Sequence, residues 1–226
     1  MAYEIAGLTK SCGDQLVLDC LDLTFPEGRI TVVLGPSGCG KTSMLNILAG
    51  LDADFSGTVS GFGRGNASYV FQEDRLLPWL SAAGNIAFVL RQRMEAPRAK
   101  AAAEEALSAV GLGAESGALP GALSGGMRRR VALARAFAYP SEVLLLDEPF
   151  SSLDLKTRIA VMDLFVDLRA RDGRSAVVVT HDVREAIYLG DRIATLSDKP
   201  AKARDVFDVD LRSEEHTSEL QSRQVI

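Results

Sequence analysis

Short runs of apolar residues alternate along the chain with segments in which apolar residues recur at helical spacing. The short runs predict buried β-strands at Ile30–Leu34, Ala67–Phe71, Val143–Leu146, Ala176–Thr180 and Ile193–Leu196. The helical spacing predicts α-helices at Thr42–Ala49, Ala82–Leu90, Arg98–Val110, Gly126–Ala138 and Leu155–Ala170. Alternation of strands and helices is typical of an α/β fold, in which helices cover a parallel sheet.

One stretch interrupts this alternation. From about Asn85 to Ala122 the pattern is helical only and rich in alanine, and the helix predicted at Gly126–Ala138 follows it. We therefore predict a helical subdomain at about residues 85–138, inserted in an α/β core.

A glycine-rich sequence joins the first predicted helix to the strand before it. Gly35-Pro-Ser-Gly-Cys-Gly-Lys-Thr42 fits the pattern G-x-x-x-x-G-K-[ST], and a strand followed by a helix is the context that this phosphate-binding loop needs. Its backbone N–H groups and the helix N-terminus would stabilise phosphate charge. Lys41 would reach the β- and γ-phosphates, and the Thr42 hydroxyl would bind Mg²⁺. Cys39 is interpreted as a small filler residue, and the alternative is a reactive thiol near the helix N-terminus.

Two acidic residues follow the apolar run at Val143–Leu146. In an open α/β sheet, ligands bind at the carboxyl ends of the strands, where Asp147 and Glu148 would lie. Asp147 would support Mg²⁺, and Glu148 would orient and deprotonate a water molecule. Two adjacent acids alone would indicate no more than a solvated turn.

Composition narrows the class of protein. The 226 residues include 25 Lys and Arg against 30 Asp and Glu, and this acidic balance argues against a nucleic-acid partner. Three scattered cysteines form neither a disulfide framework nor a zinc site. We find no secretory signal and no apolar run long enough to span a membrane.

The last fifteen residues have a different character. Arg212–Ser222 reads RSEEHTSELQS, which lacks helical or strand periodicity and resembles the translation of a synthetic sequencing adapter. We hypothesise that residues 212–226 are a non-native, adapter-derived tail and that residues 1–211 form one domain. The alternative is a natural disordered tail.

Four further motifs occur in a specific order. Leu123-Ser-Gly-Gly-Met127 precedes RRRVALARA, Ser151-Ser-Leu-Asp154 follows the acidic pair, YVFQ ends at Gln72, and VVVTHD contains His181. Together with the phosphate-binding loop they resemble the motifs of ATP-binding cassette (ABC) ATPases, from Tyr3 to about Leu211. The resemblance implies a P-loop NTPase core with a mainly parallel sheet, an N-terminal antiparallel β portion and an inserted α-helical subdomain.

The resemblance also assigns roles to residues. It implies that Glu148, His181 and Gln72 are catalytic, and that Thr42, Gln72 and Asp147 bind Mg²⁺. It implies that ATP is sandwiched between two copies of the chain in a head-to-tail dimer, with Ser124–Gly126 of one copy facing the phosphate-binding loop of the other. The implied nucleotide-binding residues are Gly35, Pro36, Ser37, Gly38, Cys39, Gly40, Lys41, Thr42, Ser43, Ser124, Gly125, Gly126 and Asp154. An ordinary helix cap is the alternative for Ser124–Gly126.

The chain departs from the family pattern in two places. Cys12 stands where these ATPases usually have an aromatic residue that stacks on adenine, so we expect weaker discrimination between nucleotide bases. Met127 replaces a frequent glutamine, and we expect activity to survive because the backbone donors before it remain. Arg128–Arg130 are interpreted as the solvated face of the helix.

The sequence FQEDRLLPW, at Phe71–Trp79, is similar to that of ATPases of the nitrate, sulfonate and taurine importer group. This implies an ATPase at the cytoplasmic face of the cell membrane, working with integral-membrane permease subunits and an extracytoplasmic solute-binding protein. Trp79 would then lie where a permease helix docks, although a capped core helix is the simpler interpretation. Two alternatives are a soluble ABC ATPase that is not coupled to transport and a non-catalytic binding module.

Overall fold

The computed structural model describes residues 3–63 and 65–209, so the proposed tail lies outside the described residues. Within this part of the chain the larger sheet has six strands, numbered here in chain order. They lie side by side as β5 (Ala67–Val70), β6 (Val143–Asp147), β7 (Ser175–Thr180), β3 (Ile30–Leu34), β8 (Arg192–Leu196) and β9 (Ala203–Asp208). All pairs are parallel except β8 with β9.

A second sheet of three antiparallel strands contributes to the same core. Its order is β2 (Gln15–Phe25), β1 (Tyr3–Cys12) and β4 (Ser56–Ser60). Helix α1 (Lys41–Leu48) packs between the two sheets, because its buried side chains join those of both sheets in one apolar cluster. The N-terminal antiparallel portion implied by the resemblance is therefore confirmed.

The remaining helices form two groups. Between β5 and β6 the chain forms α2 (Ala82–Leu90), α3 (Ala96–Ala109), a 3₁₀ turn at Pro120–Ala122 and α4 (Gly125–Ala138), which share an apolar cluster of their own. Helices α5 (Leu155–Asp172) and α6 (Val183–Leu189) cover the other face of the larger sheet. No helix in the described residues is both long enough and apolar enough to cross a bilayer.

The predicted α/β class is confirmed, and the ends of each predicted strand and helix agree with the structure to within two residues. The apolar pattern did not predict α6 or β9, nor the antiparallel strands β1, β2 and β4, which only the resemblance implied. Helix α6 has only seven residues, and both Val206 and Phe207 of β9 are exposed, so neither element carries the buried run or the long periodicity on which the predictions rest.

Burial of the central strands on both faces sets the position of the polar residues. Every side chain of β6 and β7 is buried, and Leu34 lies opposite Thr180 while Asp147 lies opposite Val179. The strands β3, β6 and β7 therefore end at the same edge of the sheet. The loops that follow them meet there, outside the apolar interior.

Arg174 anchors the end of α4 to the sheet. Its guanidinium donates hydrogen bonds to the carbonyls of Phe137 (2.8 Å) and Tyr139 (2.9 Å) and to the Ser141 hydroxyl (2.8 Å). Arg174 immediately precedes β7, so one side chain holds the connection between α4 and β6 against the neighbouring strand. Its Nε also pairs with Asp172.

Replacing Arg174 with methionine is expected to lower the free energy of unfolding by about 2–4 kcal/mol, because it leaves several shielded acceptors without donors. Urea unfolding measures this change. Arg192→Met is the control, since Arg192 pairs with the largely exposed Asp208 at 3.0 Å and should cost less than about 1 kcal/mol. Equal losses in the two variants would contradict the anchoring role.

Candidate functional site

The glycine-rich loop connects β3 to α1 and curls around the amine of its own lysine. Lys41 Nζ donates to the carbonyls of Gly35 and Pro36, both at 2.8 Å, and the side chain is only 4% exposed. Gly35 N–H donates to Thr180 O at 3.3 Å, which attaches the loop to the end of β7. Pro36, Ser37 and Gly38 are exposed at the turn, and Ser43 is half-buried in the first turn of α1.

Gly40 meets a strict local constraint. Its φ is 118°, and a Cβ there would approach Val17 and Leu18 side-chain carbons at 2.8 Å. Any larger residue would therefore be strained and would push the loop away from β2. Cys39 is 2% exposed and burial raises the pKa of its thiol, which agrees with its interpretation as a filler residue.

Asp147, at the end of β6, faces the start of α1. Thr42 Oγ1 donates to Asp147 Oδ1 at 3.1 Å. Tyr69 OH lies 3.4 Å from Asp147 Oδ2 and 3.3 Å from Asn46 Oδ1, and its single proton can be donated to either oxygen. Burial is the main cause that raises the pKa of Asp147, with the Thr42 hydrogen bond opposing it. Burial likewise raises the pKa of Tyr69, which therefore stays a donor.

The oxygen atoms of Thr42 and Asp147 fit a magnesium ion. Mg²⁺ prefers hard oxygen ligands, and it is usually held by one or two carboxylates while phosphate and water complete its shell. The described residues include no cluster of three or more His, Cys, Asp and Glu that could enclose a metal. An open, two-residue site of this kind needs phosphate oxygens to complete it.

Glu148 is the next residue, and it lies between the loop lysine and the histidine. Its Oε1 is 3.6 Å from Lys41 Nζ, and its Oε2 is 3.1 Å from His181 Nδ1. Its backbone has a φ of 40°, in the left-handed region that non-glycine residues rarely adopt, and its N–H donates to Val179 O. His181 is 52% exposed, whereas Glu148 is 14% exposed, so the histidine lies on the solvent side of the carboxylate.

Gln72 lies at the same edge but not in this cluster of side chains. β5 pairs with β6 up to Val70 opposite Leu146, so the chain from Phe71 onward continues past the position of Asp147. Gln72 is exposed, and its carbonyl accepts a hydrogen bond from Arg129.

The serine-glycine element lies beside the first turn of α5. Ser124 caps α4 and accepts from Met127 N–H at 3.3 Å, while Asp154 caps α5 and accepts from Thr157 N–H at 3.1 Å. A Cβ on Gly126 would be 2.5 Å from Thr157 Cγ2, so the starts of the two helices touch. Ser124, Gly125 and Asp154 are exposed.

Two interpretations of single residues are wrong. Arg129 was expected on a solvated face, but it is 1% exposed and its Nε lies 3.2 Å from Asp74 Oδ1. Trp79 is 70% exposed, which excludes the interpretation of its segment as a capped core helix. The sequence of a charged run does not show whether it faces solvent or packs against a neighbouring element. The same is true of an apolar run.

The sequence motifs did not identify Tyr69 or Thr157 as part of the site. Tyr69 belongs to an apolar strand pattern, and Thr157 belongs to a helix pattern, so neither carries a local chemical signal. Each acts through a partner that is distant in sequence, Asp147 for Tyr69 and Gly126 for Thr157.

The contact between Gly126 and Thr157 can be tested with a double-mutant cycle. Gly126→Ala forces a carbon against Thr157 Cγ2, while Thr157→Ser removes that methyl group. We expect Gly126→Ala to lower the free energy of unfolding by about 1–2 kcal/mol more in the wild-type background than in the Thr157→Ser background. Urea unfolding measures both changes. The cycle cancels the helix preference of alanine, and a coupling energy of zero would contradict the packing.

Comparisons with known proteins agree with this geometry. The family model described as ABC transporter matches residues 18–151. The aliphatic sulfonates import ATP-binding protein SsuB 1 of Pseudomonas syringae pv. syringae is 46% identical over 191 residues, covering 84% of this chain and 78% of the relative. SsuB 2 of Burkholderia cenocepacia is 43% identical over 208 residues, covering 89% and 76%.

Solved structures show the same fold. A dimeric bacterial ABC transporter cassette superposes with a TM-score of 0.80 at 30% identity, covering 92% of this chain and 99% of that one. A dimeric post-hydrolysis state of an ATP-binding cassette bound to ADP and Pi gives a TM-score of 0.78, also at 30% identity and with the same coverage. The chain therefore belongs to the ABC transporter family, as one of its ATP-hydrolysing cassettes.

Proposed function

We propose that this chain is the ATP-hydrolysing subunit of an importer that takes up a small aliphatic sulfonate or a related solute such as nitrate or taurine. The observation that carries the proposal is the convergence of Lys41, Asp147, Glu148 and His181 at one edge of the sheet. The solute class comes from relatives of 41–46% identity that are named aliphatic sulfonates import ATP-binding proteins.

The loop Gly35–Thr42 binds the phosphates of ATP through its backbone donors and through Lys41. The lysine amine donates hydrogen bonds to two loop carbonyls. It can turn toward a phosphate because the lysine side chain is flexible. Thr42 and Asp147 would hold Mg²⁺, with the side chain of Gln72 as a further ligand that would have to reach in from the neighbouring segment. The ion would neutralise charge on the β- and γ-phosphates.

Hydrolysis requires a base that is close to the γ-phosphate. Glu148 accepts a proton from water as the water oxygen forms a bond to the γ-phosphorus, and the bond from phosphorus to the β-phosphate oxygen breaks. ADP and inorganic phosphate are the products. His181, which is 3.1 Å from Glu148, stabilises the charge that develops on the transferred group.

The second half of each site comes from another copy of the chain. Ser124 and Gly125 are exposed and start a fourteen-residue helix, so their N–H groups suit a phosphate that approaches from outside. Asp154 is close to them because it accepts a hydrogen bond from Thr157 N–H, and the Thr157 methyl group packs against Gly126. Similar cassettes are dimeric, which supports a head-to-tail pair with two ATP molecules at the interface.

The membrane partner docks on the side of the cassette where the sheet meets the helical group. A groove of about 340 Å³ lies there between β5, α2 and α4, and its lining includes Phe71, Arg75, Phe88 and Arg135. Leu77 also lines the groove, and the exposed Trp79 follows it by two residues in the same loop. Exposed aromatic residues beside a groove suit an incoming helix. We propose that permease subunits bind here, that the chain works at the cytoplasmic face of the membrane, and that a solute-binding protein delivers the solute.

Glu148→Gln is expected to lower the rate of ATP hydrolysis by about 100-fold or more while ATP still binds, because the amide cannot take the proton from water. With hydrolysis blocked, ATP should hold the chain as a dimer in size-exclusion chromatography with light scattering. Glu104→Gln, on the exposed face of α3, is the matched control and should behave as wild type. Rapid hydrolysis by the Glu148 variant would contradict the assignment of the base.

Deletion of this gene in its host should abolish uptake of a radiolabelled aliphatic sulfonate, and the wild-type gene should restore it. Lys41→Ala should fail to restore uptake, because the loop then lacks its phosphate contact. Unchanged uptake after deletion would favour the soluble, transport-independent ATPase. If the deletion abolishes uptake and the Lys41→Ala gene restores it, the result would favour a non-catalytic binding module.

A further inference from the structure

A buried hydroxyl fixes the backbone on both sides of His181. Thr180, the residue before the histidine, is 1% exposed. Its Oγ1 accepts from Asp182 N–H at 3.1 Å and donates to Glu185 Oε2 at 2.7 Å. An N–H group can only donate and an ionised carboxylate can only accept, so both roles of the hydroxyl are determined. The chain before and after His181 is therefore held by the same atom.

Glu185 is a buried carboxylate that the proposed reaction does not use. It lies in α6 and is 3% exposed, and its second oxygen, Oε1, is 3.8 Å from Arg158 Nη1. Burial is the main cause that raises the pKa of Glu185, while the Thr180 hydrogen bond and the Arg158 charge oppose it. Burying a carboxylate costs free energy that such partners offset. The position of Glu185 is therefore tied to those of Thr180 and Arg158.

Arg158 connects this group to the loop that carries Glu148. Its Nη2 donates to Leu153 O at 3.1 Å, and its Nη1 lies 3.5 Å from Asp182 Oδ2. In the same loop as Leu153, the Ser151 hydroxyl donates to Glu148 O at 3.1 Å. The loop after β6 carries Glu148, and the loop after β7 carries His181. The two loops are therefore joined by contacts other than the one between these two side chains.

The ring of His181 depends on its backbone for its position. The residue is 52% exposed, so little packing surrounds it, and its Nδ1 lies 3.1 Å from Glu148 Oε2. A displacement of the loop would pass directly to the ring. Misplacing a reacting group by about 1 Å can lower a rate by about 100-fold.

We propose that Thr180 and Glu185 are positioning residues that hold His181 at hydrogen-bond distance from Glu148. Both are buried, so they act through the backbone of the loop rather than by touching the nucleotide. The proposal rests on the proposed function, because transfer of the γ-phosphoryl group is the step that needs His181 and Glu148 together.

Four variants separate the hydroxyl from the packing around it. Valine at position 180 has nearly the same shape as threonine and suits a buried strand but lacks the hydroxyl, whereas Thr180→Ser keeps it. In Glu185→Gln the amide oxygen can still accept from Thr180, but the ion pair with Arg158 is lost. Tyr188→Phe is the matched control, since Tyr188 OH donates to Asp163 and the variant removes another hydrogen bond between α6 and α5.

The first readout is the ring signal of His181 in a carbon–proton NMR spectrum of the full chain. The chain has two histidines, so His216→Gln identifies the signal of His181. Glu148→Ala gives the signal of a ring without its partner. We expect Thr180→Val to move the signal at least about halfway from the wild-type to that position. Thr180→Ser and Tyr188→Phe should leave it within about a tenth of that difference.

Steady-state kinetics of ATP hydrolysis show whether the position of the ring matters to the reaction. We expect Thr180→Val to lower kcat by about tenfold with KM within about twofold of wild type, because a displaced group affects the chemical step. Glu185→Gln should lower kcat by about threefold and move the His181 signal in the same direction. It takes the place of Thr180→Val if that variant melts below the assay temperature. Thr180→Ser and Tyr188→Phe should keep the wild-type kcat.

Three results would overturn the proposal. The first is a wild-type His181 signal in both Thr180→Val and Glu185→Gln, and the second is a moved signal with a wild-type kcat. The third is the same pair of changes in Tyr188→Phe, which would show a general loss of packing. If the wild-type chain does not hydrolyse ATP, the proposed function fails, while the His181 signal still measures the positioning.

Discussion

The exclusion of polar groups from the centre of the parallel sheet is the constraint on which the rest of the structure depends. β6 and β7 are buried along their whole length, so a carboxylate or histidine has a place only where a strand ends. Parallel strands end on the same side, and this brings Asp147, Glu148 and His181 to the loop that holds Lys41. The chemistry of the site is therefore a consequence of how the core is packed.

The sequence predicted well what depends on local pattern. Apolar runs and helical spacing located the strands and helices that they covered, and the pattern of Gly35–Thr42 located the glycine-rich loop between β3 and α1. It failed where a residue's environment is set by a distant partner. Arg129 reads as one of three consecutive surface charges, and only the packing of α4 on the chain after β5 shows that it is buried. Tyr69 was missed for the same reason, since its hydroxyl matters through Asp147.

The helices between β5 and β6 form one group with an apolar cluster of its own, and α4 also packs against β5 and α5. The sheet edge holds the glycine-rich loop and the acidic residues, whereas Ser124 and the chain around Gln72 contact or belong to the helices between β5 and β6. Arg174 secures one connection between the groups, and the end of the β5 ladder at Val70 marks the other.

The backbone of Glu148 has a consequence for how this site can change. A φ of 40° costs a non-glycine residue on the order of 1–3 kcal/mol. Glycine would relieve that strain and remove the carboxylate, so selection for fold stability alone would drive this position away from glutamate. Glutamate here runs against the preference of its own backbone, so under the proposed mechanism position 148 is a place where stability and activity are in direct opposition.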